Sequence, residues 1–122
     1  MDETLYDIGG NPVAYIKWDD NGTIYFWNGV PVAYLYGPDM KIYGFNGAHL
    51  GWYAYGIIWD IRGTMAGFNK QTCPVMKKLE PLKSLRQIKP LKSLRQLPYY
   101  KPTFFRVNSN ETLSQILSRG RM

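Results

Sequence analysis

Four glycines, Gly10, Gly29, Gly47 and Gly63, recur at spacings of 19, 18 and 16 residues, and their neighbours align in columns. Four positions before each stands an aromatic residue: Tyr6, Tyr25, Tyr43 and Trp59. Two before stands a large apolar residue: Ile8, Trp27, Phe45 and Ile61. Three after come Val13, Val32, Leu50 and Ala66, and four after come the small residues Ala14, Ala33, Gly51 and Gly67. Five after comes a second aromatic: Tyr15, Tyr34, Trp52 and Phe68. A fixed period of this length is the mark of a repeat architecture, in which each unit buries its apolar face only against its neighbours.

Each unit reads as a β-hairpin. Gly9-Gly10, Asn28-Gly29 and Asn46-Gly47 are pairs that tolerate the positive φ of two-residue hairpin turns. Arg62-Gly63 is a weaker version. Apolar residues alternate on both sides, as in a half-buried strand. Asn21-Gly22, Gly37-Pro38-Asp39 and Gly56 join the units, so the sequence predicts eight short strands in a meander over residues 1–69. A lone hairpin is barely stable in water, so the four must converge. The small column is expected at a pseudo-fourfold axis, where backbones approach closely. The aromatics, 16% of the 122 residues, supply the buried area that so short a chain needs.

Residues 70–107 carry a different repeat. Pro81-Leu-Lys-Ser-Leu-Arg-Gln87 recurs as Pro90-Leu-Lys-Ser-Leu-Arg-Gln96. Beneath this nine-residue period runs a triplet: Met76, Leu79, Leu82, Leu85, Ile88, Leu91, Leu94 and Leu97 fall on every third residue, each followed mostly by Lys or Arg. Period three with recurring Pro fits a polyproline II strip. The alternative is two short helical turns, each begun by its Pro. In either form one edge is apolar and one basic. The apolar edge is expected to lie along the hairpins, with the basic edge facing their carboxylates or solvent. Residues 108–120 are expected to form a helix. Asn108 and Glu111 stand at capping-box spacing, with Ser109 or Asn110 as rival caps; Leu113, Ile116 and Leu117 form its apolar face, and Gly120 is its stop. The three parts are expected to make one compact all-β domain with a short C-terminal helix.

The hairpins with their Asn-Gly turns, the Pro-Val-Ala-Tyr strands (Pro12–Tyr15 and Pro31–Tyr34), the segment Tyr43 to Trp52 and the Pro-Leu-Lys/Ser-Leu-Arg strip together resemble the bacterial family called the 4-fold β flower protein. More loosely, the Tyr- and Gly-rich hairpins are similar to YD and WG repeats of bacterial surface and toxin proteins. The first resemblance covers roughly Leu5 to Leu117 and implies four hairpin petals around a pseudo-fourfold centre. It implies no activity, and no functional residue is carried over with it. Arg62-Gly63 departs from the Asn-Gly turn, so the fourth petal is expected to be the least regular.

Charge is distributed unevenly. Residues 1–69 carry three Lys or Arg against seven Asp or Glu, a net −4; residues 70–122 carry twelve against two, a net +10. Such asymmetry fits either a polyanion partner or two halves docked on each other. Candidate polyanion contacts, to nucleic acid or an acidic polysaccharide, are Lys83, Arg86, Lys89, Lys92 and Arg95, which would bind with a steep salt dependence. Tyr99, Tyr100, Phe104 and Phe105 beside them could stack bases.

Little else carries chemistry. His49 is the one histidine, and it is a candidate polar site: a base or ligand on one reading, a structural imidazole on the other. One histidine and one cysteine, Cys73, cannot assemble the usual zinc site within a monomer. Cys73 would be a nucleophile only with a base or positive field beside it; a buried, inert thiol is the expectation. Asp7 and Asp60 share a repeat column and could do acid–base work, but turn-side Asp usually satisfies backbone donors. Asp19-Asp20-Asn21-Gly22 is a fragment of a calcium loop without its terminal glutamate. No phosphate-cradling glycine loop is present.

These features lead to the expectation of a non-enzymatic binding or scaffold protein acting through protein contacts or self-association, with no cofactor. The alternatives are a polyanion binder and a small enzyme using His49. No apolar run reaches membrane-span length, and Met1-Asp2-Glu3-Thr4 does not begin a secretory signal, so a cytoplasmic protein is expected.

Overall fold

A computed structural model describes all of residues 1–122. The eight strands are β1 (Asp2–Tyr6), β2 (Pro12–Lys17), β3 (Thr23–Phe26), β4 (Pro31–Tyr36), β5 (Lys41–Gly44), β6 (His49–Ala54), β7 (Ile57–Asp60) and β8 (Met65–Phe68). Each pairs antiparallel with the next, and β8 returns to β1 through Tyr6 and Phe68, closing a barrel. Closure leaves no sheet edge open to another chain. The four petals are therefore consecutive hairpins of one closed sheet. The fourth is as regular in its pairing as the others despite Arg62-Gly63.

One irregularity recurs in every petal. The register shifts at Leu5/Tyr6, Ile24/Tyr25, Ile42/Tyr43 and Ile58/Trp59, opposite Val13, Val32, Leu50 and Ala66 respectively. An extra residue on one strand turns two consecutive side chains to the same side. Val32 and Ala33 thus both enter the barrel core, with Leu5, Ile16, Ile24, Ile42 and Ile58. The outer face carries the aromatic columns. Tyr15 faces Tyr25, Tyr34 faces Tyr43, Trp52 faces Trp59, and Tyr6 faces Phe68, one pair in each seam between petals.

The barrel is plugged by α1 (Leu113–Ser118), whose Leu113, Ile116 and Leu117 belong to the same core. This revises the purpose of the small column. A Cβ at Gly67 would press on the Leu113 side chain, whereas one at Gly51 would fall on the Trp59 carbonyl, so the column makes room for the helix as well as for neighbouring backbone. It also explains why Gly44 stands where other petals carry Asp7, Phe26 and Asp60. The backbone of Gly120 lies against Gly44, and Gly120 accepts a hydrogen bond from the Asn46 N–H at 3.3 Å.

The helix begins later than the sequence predicted over 108–120. Its N-cap is Thr112, whose Oγ1 accepts from the Gln115 N–H at 3.1 Å while Gln115 Oε1 accepts from the Thr112 N–H at 2.9 Å. Asn108 and Ser109 are drawn off to the barrel instead. Asn108 bridges Met65, Ser109 N–H donates to Met65 O at 2.7 Å, and Ser109 Oγ donates to Asp60.

Candidate functional site

Between the barrel and its plug the chain runs as an extended strip that forms no backbone hydrogen bonds within itself; six of its backbone N–H groups reach backbone carbonyls of the petals. Lys78, Gln87, Gln96 and Phe105 donate their N–H groups to the carbonyls of Gly10, Gly29, Gly47 and Gly63, at 2.8–2.9 Å. These donors lie nine residues apart, and their acceptors are the four glycines that define the petals. A second set, Ser84 to Trp27 O and Ser93 to Phe45 O, follows the same step. One step further falls on Pro102, which has no N–H to give. Nine extended residues cover about 28 Å at ~3.1 Å each. That is a quarter-turn around a circle of about 18 Å radius, so the nine-residue period is the petal-to-petal step.

The turn glycines serve the strip as well as the hairpins. Gly29 and Gly47 have φ of 89° and 90°, and a Cβ on either would fall on the carbonyl of Leu85 or Leu94. Gly10 and Gly63 stand in the same relation to Met76 and Thr103, again nine residues on. Positive φ alone favours glycine here; the strip adds an independent steric reason.

Three of the four seams are roofed by strip side chains at equivalent positions, nine residues apart. Lys83 Nζ lies 4.8 Å from the Tyr15 ring centroid and Lys92 Nζ 4.2 Å from that of Tyr34. Arg86 lies over Tyr25, and Arg95 is 3.7 Å from the Tyr36 ring, with Nη1 donating to Tyr34 Oη at 3.3 Å. Nine residues on, Phe104 takes the arginine's place and stacks on Trp59 at 4.6 Å. In the last seam Glu80 accepts from Thr4 Oγ1 at 2.6 Å and Tyr6 Oη at 3.3 Å. The Thr4 hydrogen bond chiefly holds the Glu80 carboxyl below its usual range, with Lys70 adding to the shift. Lys83 also pairs with Asp2 at 2.7 Å and Lys89 with Asp20 at 2.5 Å. The five candidate polyanion contacts are thus brought together along one arc, and all five are turned onto the barrel's own carboxylates and tyrosine faces. Burial and the Asp20 hydrogen bond push the Tyr25 hydroxyl up to about 12.

The opposite edge of the strip corrects the expectation that its apolar face lies along the hairpins. Met76, Leu79, Leu82, Leu85, Ile88, Leu91, Leu94 and Leu97 are each 90–96% exposed. The reason lies in what the seams offer. Their aromatic pairs are lined with phenol oxygens and flanked by Asp2 and Asp20, which attract cations, and the turn carbonyls require N–H donors. With two of the three edges committed inward, the triplet geometry leaves the third pointing out. The triplet itself was legible; its outward direction was not.

His49 is 4% exposed, between the rings of Tyr43, Trp52 and Tyr99. Its Nδ1 accepts the Tyr99 N–H at 3.0 Å and its Nε2 stands 3.0 Å from Gly51 O. Those partners require the neutral ring with its proton on Nε2, and burial pushes its pKa down. The imidazole clamps the strip. Because the unfolded ring takes up a proton near pH 6.5 and the folded ring resists it, stability is greatest above that pH and falls as pH drops through the window. Urea unfolding at pH 7.5 and 5.5 is expected to show this loss in the native chain and a smaller one in His49→Gln. Equal losses would contradict the clamp.

The other chemical candidates are spread over the fold. Asp7 and Asp60 each close their own hairpin turn: Asp7 accepts from Gly9 and Asn11, and Asp60 from Arg62, Thr64 and Ser109. Hydrogen bonds led by those of Ser109 and Thr64 outweigh burial and hold the Asp60 carboxyl below its usual range. Cys73 is partly buried rather than fully so, packed beside Ile57, Trp59 and Phe68. Asp20 is occupied by Tyr25 and Lys89, and Asp19 by Lys17. A cleft of about 400 Å³ lies beside Glu3, Trp18 and Lys70. The Glu3 oxygens in it already accept from Trp18, Tyr53 and Asn69. No helix is long and apolar enough to cross a membrane.

Fold and strip together define a class: an all-β barrel of four pseudo-symmetric hairpins, girdled by an extended strap and plugged by a short helix. The sequence profile of the 4-fold beta flower protein matches residues 3–117, and the chain belongs to that family. No curated protein and no solved structure matches it.

Proposed function

We propose that this protein is a non-enzymatic binding module whose working surface is the leucine row of the strap. One observation carries the reading: eight large apolar side chains, each at least 90% exposed, stand at three-residue intervals on a backbone pinned to the barrel. Contiguous apolar surface of this kind marks an interaction site. Its pinned backbone also reduces the ordering cost of association. The contacts that Lys83, Arg86, Lys89, Lys92 and Arg95 make with the barrel's own carboxylates and tyrosine rings support this reading over polyanion binding, because those cations, though solvent-accessible, already have partners.

A photo-reactive residue at Leu91 tests it. In the cells that make the protein, discrete protein adducts are expected from Leu91. None are expected from the same residue at Tyr55, which is exposed but lies off the strap. Adducts to nucleic acid, or no adducts from Leu91, would overturn the reading.

A further inference from the structure

We infer that the leucine row is a docking track for an extended, acidic segment of another protein, one in which apolar side chains alternate with Asp or Glu. The inference rests on the binding reading above and adds the chemistry of the partner. Three observations select it.

The first is charge. From Met76 to Leu97 the strip carries seven Lys or Arg against Glu80 alone. Asp2 and Asp20 neutralise Lys83 and Lys89, and Lys70 neutralises Glu80. No carboxylate pairs with Lys77, Lys78, Arg86, Lys92 or Arg95, and all five are exposed. Arg86, Lys92 and Arg95 rest on tyrosine rings, which hold a cation without cancelling its charge. Lys77, Arg86, Lys92 and Arg95 directly follow Met76, Leu85, Leu91 and Leu94. The row is therefore an apolar line with an uncompensated positive rim. A partner that buries the leucines must bring carboxylates to that rim. Nucleic acid or an acidic polysaccharide answers the charge but leaves the leucines in water.

The second observation is curvature. Lys78 and Gln96 meet the turns of the first and third petals, which stand opposite each other in a closed barrel of four. Met76 and Leu97 lie beyond them, so the row wraps more than half a turn and its ends face away from each other. A globular surface or a flat bilayer touches only part of such an arc. A chain segment bends with it and reaches every leucine, as segments that order on binding do when they wrap large surfaces.

The third is the backbone. The N–H groups of Leu79, Leu82, Leu85, Leu91, Leu94 and Leu97 make no backbone hydrogen bond. The carbonyls of a peptide laid alongside can accept from them, as when an extended peptide joins a strand already in place. The barrel holds the strap, so only the segment is ordered on binding.

Fluorescence anisotropy of labelled peptides of about 15 residues, titrated with the purified full chain, is the test. A peptide of repeated Leu-Glu-Ser triplets is expected to bind with a Kd below about 100 µM at low salt and to weaken roughly 10-fold when the salt is raised about tenfold. Peptides of repeated Leu-Lys-Ser and Ser-Glu-Ser are each expected to bind at least roughly 10-fold more weakly. The variant Leu82→Ser, Leu85→Ser, Leu91→Ser, Leu94→Ser is expected to lose roughly 10-fold or more in affinity while unfolding at the native temperature, since all four side chains are exposed. Should that variant fail to fold, the comparison of the three peptides on the native chain decides alone.

No binding of the Leu-Glu-Ser peptide up to about 200 µM chain overturns the inference. Equal binding of the Leu-Lys-Ser peptide does so by removing the charge, and equal binding of the Ser-Glu-Ser peptide by removing the leucines. Co-sedimentation with vesicles of anionic phospholipid in place of peptide binding also overturns it. If the Leu-Glu-Ser peptide fails while Leu91 still yields discrete protein adducts in cells, the binding reading stands and only the acidic segment is removed. If Leu91 yields none, both are removed.

Discussion

A chain ending at Glu111 is expected to lose its cooperative unfolding transition. The segment removed carries Leu113, Ile116 and Leu117, all at most 1% exposed and all part of the barrel core. Truncating one buried leucine to alanine typically costs about 2–5 kcal/mol. Three such losses, with the mouth of the barrel opened to water, match the whole stability of a domain this size, about 5–15 kcal/mol. Leu117→Ala tests the same contact more gently, with an expected loss of about 2–4 kcal/mol. Urea titrations followed by tryptophan fluorescence would read both. A truncated chain with the native midpoint would show that α1 is an appendage and not the plug.

The second large effect is expected from Gly47→Ala. Position 47 has φ of 90°, and its added Cβ would fall on the Leu94 carbonyl, so the variant is strained and also displaces the strap from the third petal. Strain of that backbone kind costs of order 1–3 kcal/mol, and the displaced strap adds to it, for an expected total of about 3–4 kcal/mol. Gly37→Ala is the control. Its φ is 81°, but its Cβ would meet only the side chains of Asp39 and Lys41. The difference between the two variants measures what docking the strap contributes. Equal losses would mean that the strap adds nothing at this turn.

The petals were legible because each is built from local signals: a turn pair that accepts positive φ, and apolar alternation on either side. The bulges were not, because a bulge is a relation between two strands; Val32 and Ala33 look like ordinary neighbours until Ile24 and Tyr25 are placed opposite. The helix cap is a signal that the sequence carries in two places. Thr112 and Gln115 fit the capping box as well as Asn108 and Glu111, and only the pairing of Asn108 with Met65 decides between them.

The strap divides in the same way. Its triplet and the two full copies of its nine-residue unit stand in the sequence. The flanking units do not, because Lys78 and Phe105 contribute a backbone N–H, and Met76 and Thr103 a carbonyl, which any non-proline residue could supply. The leucine row is legible in the sequence, but the side it faces is not. The usual rule sends apolar side chains inward, and here the aromatic seams and turn carbonyls had already chosen the other two edges.

Amide hydrogen exchange along residues 76–107, resolved residue by residue, tests the nine-residue strap most directly. Slow exchange is expected at Lys78, Gln87, Gln96 and Phe105, with Ser84 and Ser93 between them, and fast exchange at the amides of Leu79, Leu82, Leu85, Leu91, Leu94 and Leu97. Uniformly fast exchange through the segment would mean that the strap is not bound to the petals, and the account built on it would fall.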